Sequence, residues 1–576
     1  MTTPITPQPL SKRWRIHPLI PDYVDAALRE GEFTPLMRQL LFNRGFEESQ
    51  AALDFVKGTV SFSTDPFLLT GMTAAVTRLH RAVTEGEAIV IYGDYDADGV
   101  TSSALLFLFL RAIGAAVRVY IPNRADEGYG LNDEAIRELA GEGTPLMITV
   151  DCGIRAVEEV TLANQLGMDV IISDHHQPGA VLPPATAVID PKQAGDLYPE
   201  KFLAGVGLAY KLAQAYLTRY PQPGVDADDW LDLVAIGTVA DIAPLKGENR
   251  LLVKMGLEKI RQRPRQGLYS LANVAGIDLK KCDTGNIGFG LGPRLNAAGR
   301  LESAMSAFEL LTEDDIFKAG QLAQALDLYN SERQELTELI RDQAAQQVLE
   351  ENPDAPLFFA ADPSFNKGVV GLAASRLTEA YYRPAIIGHQ DGEFTVASCR
   401  SIDEFHITNA LDACADLLVR HGGHAAAAGF TVRNENVDAL VTRMTALVIA
   451  ELGETAPLPV LDIDREIKLE KLAPGYIPGI LDDLHQLEPT GRGNPEPIFA
   501  SKDVGVRFAK VVGREGAHLK LTLQAGKYTY DAIAFRQGYW LAEMPERIDL
   551  AYRFEVNEFN GRSTLQLNVK DIKPSE

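Results

Sequence analysis

Cysteine and positive charge are both scarce in this chain of 576 residues. No two of the four cysteines form a Cys-x-x-Cys pair, which argues against a disulfide framework or a zinc ribbon and is typical of a reducing cytoplasm. They are Cys152, Cys282, Cys399 and Cys414. The 79 Asp and Glu residues outnumber the 55 Lys and Arg residues, and the net charge of −24 excludes a generally basic protein that coats nucleic acid. A nuclease is not excluded, because it needs only a locally basic groove.

Long apolar runs are also missing. The longest, Ala104 to Leu110, is far shorter than the roughly 20 residues that span a bilayer, so we interpret it as a core helix and expect no membrane association. The N-terminus lacks a charged region followed by an apolar region, so no signal peptide is predicted. Together with the cysteine usage, these absences predict a cytoplasmic protein.

What the chain does contain is an alternation of strand and helix patterns between about residue 50 and residue 245. Such alternation predicts an α/β fold with a parallel sheet covered by helices. The predicted strands are 88–92, 117–121, 146–150, 170–173 and 187–189. The length allows three or four domains in all.

An acidic loop follows the first predicted strand. Asp94, Asp96 and Asp98 alternate with single residues between Gly93 and Gly99, and a helix pattern begins directly afterwards. An EF-hand is excluded because no Glu occupies the twelfth loop position, and a phosphate-binding P-loop is excluded because no Gly-Lys-Ser/Thr follows. Three adjacent carboxylates repel one another, and a divalent cation would remove that conflict.

Further acids and histidines follow the other strands. Asp151 ends the run 146–150, Asp174-His175-His176 ends the run 170–173, and Asp241 follows the apolar helix 231–240. Because parallel strands present their carboxyl ends at one edge of a sheet, these side chains are expected to converge. Carboxylate and imidazole ligands favour Mn²⁺ or Mg²⁺ over Zn²⁺, and their number favours two ions.

These motifs resemble the four motifs of the DHH phosphoesterase superfamily. The matching stretches are Gly93–Thr101, Val150-Asp151, Asp174–His176 and Val239–Asp241, and the supporting stretches are Asn123–Leu131, Gly292–Arg300 and His421–Phe430. Over nearly its full length the chain looks like the bacterial members that degrade single-stranded DNA. The resemblance implies a 5′→3′ single-stranded-DNA exonuclease that releases 5′-mononucleotides in DNA repair and recombination.

The resemblance also implies the site residues. Six residues would bind two Mn²⁺ or Mg²⁺ ions: Asp94, Asp96, Asp98, Asp151, His175 and Asp241. Asp151 would bridge the ions, His176 would touch the scissile phosphate and Asp174 would orient a histidine. The alternating spacing does not decide which of Asp94, Asp96 and Asp98 point inward. The residues implied for DNA binding are Arg124, Arg294, Asn296, Arg300, Ser398, Arg400 and His424.

Five segments follow from the patterns and the resemblance. They are an N-terminal arm (1–47), a parallel-sheet DHH domain (48–300), a long connecting helix (301–353), a smaller α/β DHHA1 domain (354–455) and a C-terminal OB-like β-barrel (456–576). Gly292–Arg300 and His421–Gly429 are predicted as glycine-rich loops. In the barrel a groove is predicted from basic residues and aromatic stacking platforms: Lys502, Arg507, Lys510, Arg514, Lys520, Phe508, Tyr528 and Tyr530.

The resemblance further implies partner proteins, and two alternative functions remain to be compared with it. Enzymes of this kind work as monomers beside a single-strand binding protein and a RecQ-type helicase, although no docking site is visible in the sequence. A related phosphoesterase acting on pyrophosphate, short oligonucleotides or cyclic dinucleotides is the first rival, and a non-catalytic DNA-binding scaffold is the second. The complete set of acids and histidines argues against the scaffold.

Overall fold

The structure is a computed structural model, and it describes residues 10–58, 64–124, 127–453, 457–473, 477–513, 516–559 and 562–575. The first segment contains one strand and three helices: β1 Arg13–Ile16, α1 Asp22–Arg29, α2 Pro35–Asn43 and α3 Ser49–Lys57. Strand β1 pairs in parallel with residues 460–463, some 450 positions later. Apolar residues of α1 and α2, such as Leu28 and Leu40, share a core with Phe499 and Leu519. The N-terminal segment therefore belongs structurally to the C-terminal part of the chain.

The predicted parallel sheet is confirmed. Its elements are α4 Met72–Glu85, β2 Ala88–Gly93, α5 Ala97–Ala112, β3 Ala116–Tyr120, α6 Asp133–Gly141, β4 Leu146–Val150, α7 Val157–Gln165, β5 Asp169–Ser173 and β6 Ala187–Ile189. The five strands run in the order β3-β2-β4-β5-β6, and every pairing is parallel. Strand β4 is buried along its whole length, as expected for a β-branched run between two helical layers.

Seven helices follow the sheet. They are α8 Gly205–Arg219, α9 Leu231–Ala240, α10 Gly247–Gln262, α11 Gln266–Ala275, α12 Thr284–Asn286, α13 Gly292–Leu301 and α14 Met305–Thr312. A π-helical segment, Ile287–Leu291, leads into α13. The prediction of a loop at residues 292–300 is wrong. The glycines there allow close packing of a helix, because a Cβ on Gly299 would collide with the carbonyl oxygen of Tyr95.

Helix α15, Ile316–Glu351, joins the two α/β parts of the chain and has 36 residues. Asp315 caps its first turn by accepting hydrogen bonds from the amides of Phe317 and Lys318. Ala323 in its first half packs in the core of the parallel-sheet domain, whereas Ala344 in its second half packs in the next domain. The helix is therefore a shared core element as well as a connection.

The second α/β domain has a mixed sheet. Its elements are β7 Phe358–Asp362, α16 Val370–Tyr381, β8 Ala385–Gln390, β9 Phe394–Arg400, α17 Ile407–Asp412, β10 Leu418–Gly423, β11 Ala427–Arg433 and α18 Val437–Leu452. The order is β10-β11-β9-β8-β7, and only β7 and β8 are parallel. The predicted loop 421–429 is mostly a hairpin, because His421 and Gly429 lie in paired strands.

The C-terminal domain is a closed barrel, as predicted. Its elements are β12 Val460–Ile463, β13 Arg465–Glu466, α19 Ile477–Gln486, β14 Phe499–Val512, β15 His518–Ala525, β16 Tyr528–Ala534, β17 Arg547–Phe559 and β18 Arg562–Pro574. Strand β14 pairs with both β15 and β17, which closes the five longer strands into a ring. Tyr530 is 3% exposed and its hydroxyl donates to the Leu469 carbonyl at 2.9 Å, so the prediction of a stacking platform there is wrong. Arg514 lies outside the described residues.

None of the helices in the described ranges combines the length and apolar character needed to cross a membrane.

Helices α9 and α10 cross at a glycine, and this contact carries a testable consequence. A Cβ on Gly256 would lie 2.6 Å from the Cβ of Ala235 and would also meet the carbonyl oxygen of Leu231. We expect Gly256→Ala to lower the free energy of unfolding by about 1–3 kcal/mol through overpacking, although alanine is intrinsically the better helix former. Thermal unfolding measures the change.

Gly320→Ala in helix α15 is the matched control. Nothing lies within 4 Å of a Cβ at this position. This variant should be more stable than wild type by about 0.5–1 kcal/mol. Equal stabilisation by both substitutions would contradict the close α9–α10 contact.

Candidate metal centre and substrate cleft

The acidic loop after β2 is held by the start of helix α5. Asp96 caps this helix, and its carboxylate accepts hydrogen bonds from the amides of Asp98 at 2.8 Å and Gly99 at 3.1 Å. The turn is tight, because a Cβ on Gly99 would lie 2.5 Å from the carbonyl oxygen of Asp94. Glycine at this position therefore lets the three carboxylates gather in one turn.

Asp98 is fixed by the N-terminus of helix α8. Its two carboxylate oxygens accept hydrogen bonds from the amides of Gly205 at 2.7 Å and Val206 at 2.8 Å, and the side chain is fully buried. A Cβ on Gly237, in the neighbouring helix α9, would lie 2.9 Å from an Asp98 oxygen. The helices α5, α8 and α9 therefore meet around this one carboxylate.

Asp151 lies at the centre of the site and has a left-handed backbone, with φ 61°. Aspartate tolerates this conformation better than most residues. Its Oδ1 is 3.0 Å from His175 Nε2, and the same nitrogen is 3.9 Å from Asp98 Oδ2. His175 Nδ1 lies 4.0 Å from Asp241 Oδ2, at the end of α9. The strand-end residues therefore converge, although they are spread over about 150 positions of the chain.

Three groups of side chains bring their ligand atoms within 4.8 Å of one another. They are Asp94, Asp96 and Asp151; Asp98, His175 and Asp241; and Asp151, His175 and His176. Asp151 belongs to two of these groups. Three atoms in the centre, Asp94 Oδ1, Asp151 Oδ1 and His175 Nε2, are buried and make no hydrogen bond within the described residues. Buried lone-pair donors without partners are what a divalent cation requires, so these residues fit a metal centre.

The electrostatics of the site favour the same ligand. Burial, followed by repulsion from neighbouring carboxylates, raises the pKa values of Asp94, Asp98 and Asp151 well above the usual range. The same two causes raise the pKa of Asp241 to about 7. Burial lowers the pKa of His175 to about 3, which keeps its ring neutral and able to donate a lone pair. A bound cation would stabilise the charged carboxylates and would therefore reverse the rise in their pKa values.

Asp174 orients both histidines of the motif. Its Oδ1 accepts hydrogen bonds from the amide of His175 at 2.7 Å and from His176 Nδ1 at 2.8 Å, and its Oδ2 accepts from the amide of Ile154 at 2.9 Å. Burial opposes a charge on His176, but the bond to Asp174 prevails and raises the pKa of His176 to about 9. His176 is therefore a cationic side chain at the edge of the carboxylate cluster.

A group of guanidinium side chains lies on the Asp94–Asp96 side of the site. Burial, followed by repulsion from Arg124, Arg333 and Arg400, lowers the pKa of Arg300 to about 10. Next to it, a Cβ on Gly371 of α16 would lie 3.0 Å from Arg400 Nη2 and 3.3 Å from Ser398 Oγ. A side chain at position 371 would therefore crowd Arg400 and Ser398, and the glycine leaves the space beside them free. Cationic groups that repel one another around a hydroxyl form a cradle for an anion.

The other residues predicted to bind DNA are placed differently. Arg294 is paired with Asp327 of α15 at 2.8 Å, and Asn296 Oδ1 accepts a hydrogen bond from the amide of Ala97 at 2.7 Å. Both side chains thus connect α13 to its neighbours, and their contact with DNA stays a prediction. His424 lies in the turn between β10 and β11 and lines a cavity of about 500 Å³ that also contains His176 and Asp174.

Tyr129 was not singled out by the sequence and is part of the same cavity. Its hydroxyl lies 3.3 Å from His176 Nδ1 and donates to the carbonyl oxygen of Asp151 at 3.4 Å. The only local signal is its position between Gly128 and Gly130. A single tyrosine in a loop has no periodicity that could have identified it.

The metal centre predicts a pH-dependent stabilisation by Mn²⁺. We expect saturating Mn²⁺ at pH 8 to raise the Tm by roughly 5 °C over protein in a chelator, because binding at about 100 times the Kd contributes about 2.7 kcal/mol. In the metal-free protein Asp241 has a pKa of about 7, so at pH 6 it is protonated and the ion must displace that proton. The shift measured by thermal unfolding should therefore be smaller at pH 6, and an equal shift at both pH values would contradict this expectation.

Comparisons with known proteins agree with the geometry. The chain matches three family models: "DHH family, N-terminal domain" over residues 88–238, "DHHA1 domain" over 354–450 and "RecJ OB domain" over 463–571. It is 39% identical to "Single-stranded-DNA-specific exonuclease RecJ" of Bacillus subtilis, over 98% of this chain and 71% of the relative. The protein of the same name from Escherichia coli is 35% identical, over 94% of this chain and 96% of the relative.

A solved structure is similar over the same extent. The crystal structure of RecJ from Thermus thermophilus in complex with Mn²⁺ superposes with a TM-score of 0.84 at 32% identity, over 98% of this chain and 80% of the other. The match includes the parallel-sheet domain, the long helix and the barrel, which all lie within the matched length. The chain therefore belongs to the RecJ family of DHH proteins.

Proposed function

We propose that this chain is a single-stranded-DNA-specific exonuclease that hydrolyses phosphodiester bonds with two divalent cations, Mn²⁺ or Mg²⁺. The observation that carries the proposal is the central position of Asp151, which belongs to two of the three ligand groups. The names of the relatives support the substrate, and the Mn²⁺ and Mg²⁺ complexes of the Thermus thermophilus protein support the ions.

In this proposal each predicted ligand has a place. Asp94, Asp96 and Asp151 would hold one ion, and Asp98, His175, Asp241 and Asp151 would hold the other. Two such ions would lower the pKa of a bound water and neutralise charge on the phosphate oxygens. His176 would donate a hydrogen bond to the scissile phosphate, and its contact with Asp174 raises the pKa of its ring. Asp174 keeps its ring in position through the Nδ1 contact.

The guanidinium cradle, formed by Arg124, Arg300 and Arg400 with Ser398, would set the direction of digestion. Arg124, Arg300, Ser398 and Arg400 would grip a 5′-terminal phosphate beside the Asp94–Asp96 end of the site. His424 would contact the DNA from the cavity that it lines together with His176 and Asp174. The next phosphodiester then lies over the ions, so that cleavage releases a 5′-mononucleotide and proceeds 5′→3′. Arg294 and Asn296 stay proposed DNA contacts at the wall formed by α13.

The remaining predictions are proposals of the same kind. We propose a division into an arm (1–47), a DHH domain (48–300), a connecting segment (301–353), a DHHA1 domain (354–455) and an OB-like domain (456–576). The connecting segment was predicted as one helix, but only residues 316–351 of it form the long helix α15. The protein would act in the cytoplasm as a monomer in DNA repair and recombination, beside a single-strand binding protein and a RecQ-type helicase. The four cysteines, which are all unpaired and buried, support a reducing compartment.

Digestion of end-labelled oligonucleotides tests the proposal. With Mn²⁺ or Mg²⁺, a 3′-labelled single strand should give a ladder that shortens from the 5′ end, and a 5′-labelled strand should give a labelled mononucleotide at once. A blunt duplex and a reaction with chelator should give neither. Digestion from the 3′ end would overturn the polarity, and faster turnover of a dinucleotide than of a long strand would favour the short-oligonucleotide rival.

A further inference from the structure

Three residues without an assigned role surround the Asp241 end of the metal centre. Phe289 is 90% exposed in the π-helical segment before α13, and Ile242 is 63% exposed directly after Asp241. Arg492, in the loop that leads into the barrel, donates from Nη1 to the carbonyl oxygen of Ile242 at 3.4 Å. Its charge also lowers the pKa of Asp241, against the larger raising effect of burial. An exposed isoleucine and a cation thus lie beside a predicted metal ligand, and the exposed ring of Phe289 belongs to the segment that packs near Val239, two positions before that ligand.

Phe289, Ile242 and Arg492 form one rim of the cleft, and contacts between the three segments that carry them hold this rim in place. A Cβ on Gly288 would lie 3.8 Å from Val239 Cγ1, so the π-helical segment packs on the last turn of α9. The amide of Leu245 donates to the carbonyl oxygen of Arg492 at 2.7 Å, and Thr284 Oγ1 donates to the carbonyl oxygen of Thr490 at 2.7 Å. The loop 490–493 is therefore fixed between the helix that precedes Phe289 and the segment that follows Asp241.

Ile242 has a left-handed backbone, with φ 58°. This conformation is unfavourable for a β-branched residue, and such strain is found mainly where a binding site requires it. Burial of the side chain does not explain the strain, since the side chain is largely exposed. The strained turn places apolar surface at the rim of the cleft rather than in the core.

Helix α13 extends from this rim to the end of the cleft where the guanidinium cradle lies. Gly292 at its start lies against Ala240, whereas Gly299 near its end lies against Tyr95 in the acidic loop. The seven residue steps from one to the other span about 10 Å at 1.5 Å per residue. The guanidinium cradle therefore lies at one end of α13 and Phe289 lies at the other, with the metal centre between.

We propose that Phe289 and Ile242 form an apolar platform on which a nucleobase 3′ of the scissile bond stacks, and that Arg492 contacts the neighbouring phosphate. The inference rests on the proposed function, because it assumes that the 5′ end occupies the guanidinium cradle. An exposed aromatic ring with an adjacent arginine is the combination by which proteins bind single strands without reading their sequence. The platform holds the strand in line while its terminal nucleotide is cleaved.

Kinetics of the first cleavage on a 5′-phosphorylated single strand test the platform. Phe289→Ala should raise KM about five- to twentyfold and leave kcat within about twofold, and Phe289→Trp should restore KM. Phe317→Ala is the matched control, because Phe317 is another exposed phenylalanine, at 80%, in the first turn of α15. The Mn²⁺-dependent rise in Tm should be unchanged in all three variants, which shows that the metal centre is intact.

Abasic residues locate the stacked base. One abasic residue is placed in turn at the second to fifth nucleotides. At one of these positions it should raise the KM of wild type, but it should not raise the KM of Phe289→Ala above the value of that variant on the intact strand. Arg492→Gln should reduce the slope of log KM against log salt by about 0.7, whereas Arg219→Gln, about 20 Å along α8 from its start, should not.

These experiments distinguish a failure of the proposed function from a failure of the platform. If wild type does not cleave the strand, the proposed function fails. If wild type cleaves and Phe289→Ala behaves like Phe317→Ala, or if every abasic position has the same effect, the platform alone is overturned.

Discussion

Asp151→Asn is expected to reduce exonuclease activity by at least about a thousandfold and to leave the fold intact. Asp151 lies in two of the three ligand groups, so its loss affects both proposed ions. Losing several kcal/mol of transition-state stabilisation corresponds to three or more orders of magnitude in rate. Asparagine also tolerates the left-handed backbone at this position, so the turn after β4 should be kept.

The stability of the same variant separates a metal ligand from a structural residue. In the metal-free protein, burial and the nearby acids raise the pKa of Asp151, so a neutral amide should leave the Tm in chelator unchanged or higher. The rise in Tm on addition of Mn²⁺ should be lost. Asp503→Asn is the matched control, because Asp503 also has a left-handed backbone, with φ 54°, but lies in the barrel. Wild-type turnover by Asp151→Asn would end the two-ion proposal.

Arg400→Gln is expected to lower kcat/KM about a hundredfold on a 5′-phosphorylated strand and much less on a 5′-hydroxyl strand. Arg400 is the last residue of β9 and lies beside Ser398 and the half-buried Arg300. A hydrogen bond to a charged group contributes about 1.5–3 kcal/mol, and the upper part of this range corresponds to a hundredfold. The measured quantity is the ratio of kcat/KM on the two strands.

Arg433→Gln is the control for the guanidinium cradle. Arg433 lies in the neighbouring strand β11 opposite Phe394, at the other end of β9 from Arg400 and about 20 Å away by strand rise. It is paired with the exposed Glu393. This variant should keep the preference for a 5′-phosphate. If Arg400→Gln lowered activity on both strands equally, the cradle would not be the site of the 5′ end.

Local sequence determined the parallel sheet and the ends of its strands. The run Leu146–Val150 has the predicted bounds, because a short β-branched run buried on both faces has few alternatives to a central strand. Polar residues that follow such strands must collect at one edge, so Asp151 and His175 could be predicted to meet before any coordinates were known. Asp241 follows helix α9 instead, and the packing of that helix brings it to the same edge. The residue types alone indicated a site for divalent cations, whereas the full set of ligands and the role of each residue came from the resemblance.

Tertiary structure decided what depends on distant partners. The segment Gly292–Leu301 folds as a helix because its glycines pack against the acidic loop, which its own sequence does not reveal. The N-terminal strand β1 pairs with β12, and Tyr530 faces the barrel core rather than solvent.

Contacts between distant parts of the chain also bring the cationic residues to the two ends of the cleft. Arg300 and Arg400 come from different domains, and Arg492 reaches Asp241 from the loop before the barrel. Local patterns reflect the burial of neighbouring residues, whereas contacts across hundreds of positions depend on how whole domains pack. The sequence by itself therefore determined the sheet and its acidic edge, and only the packing of the domains decided which cations face that edge.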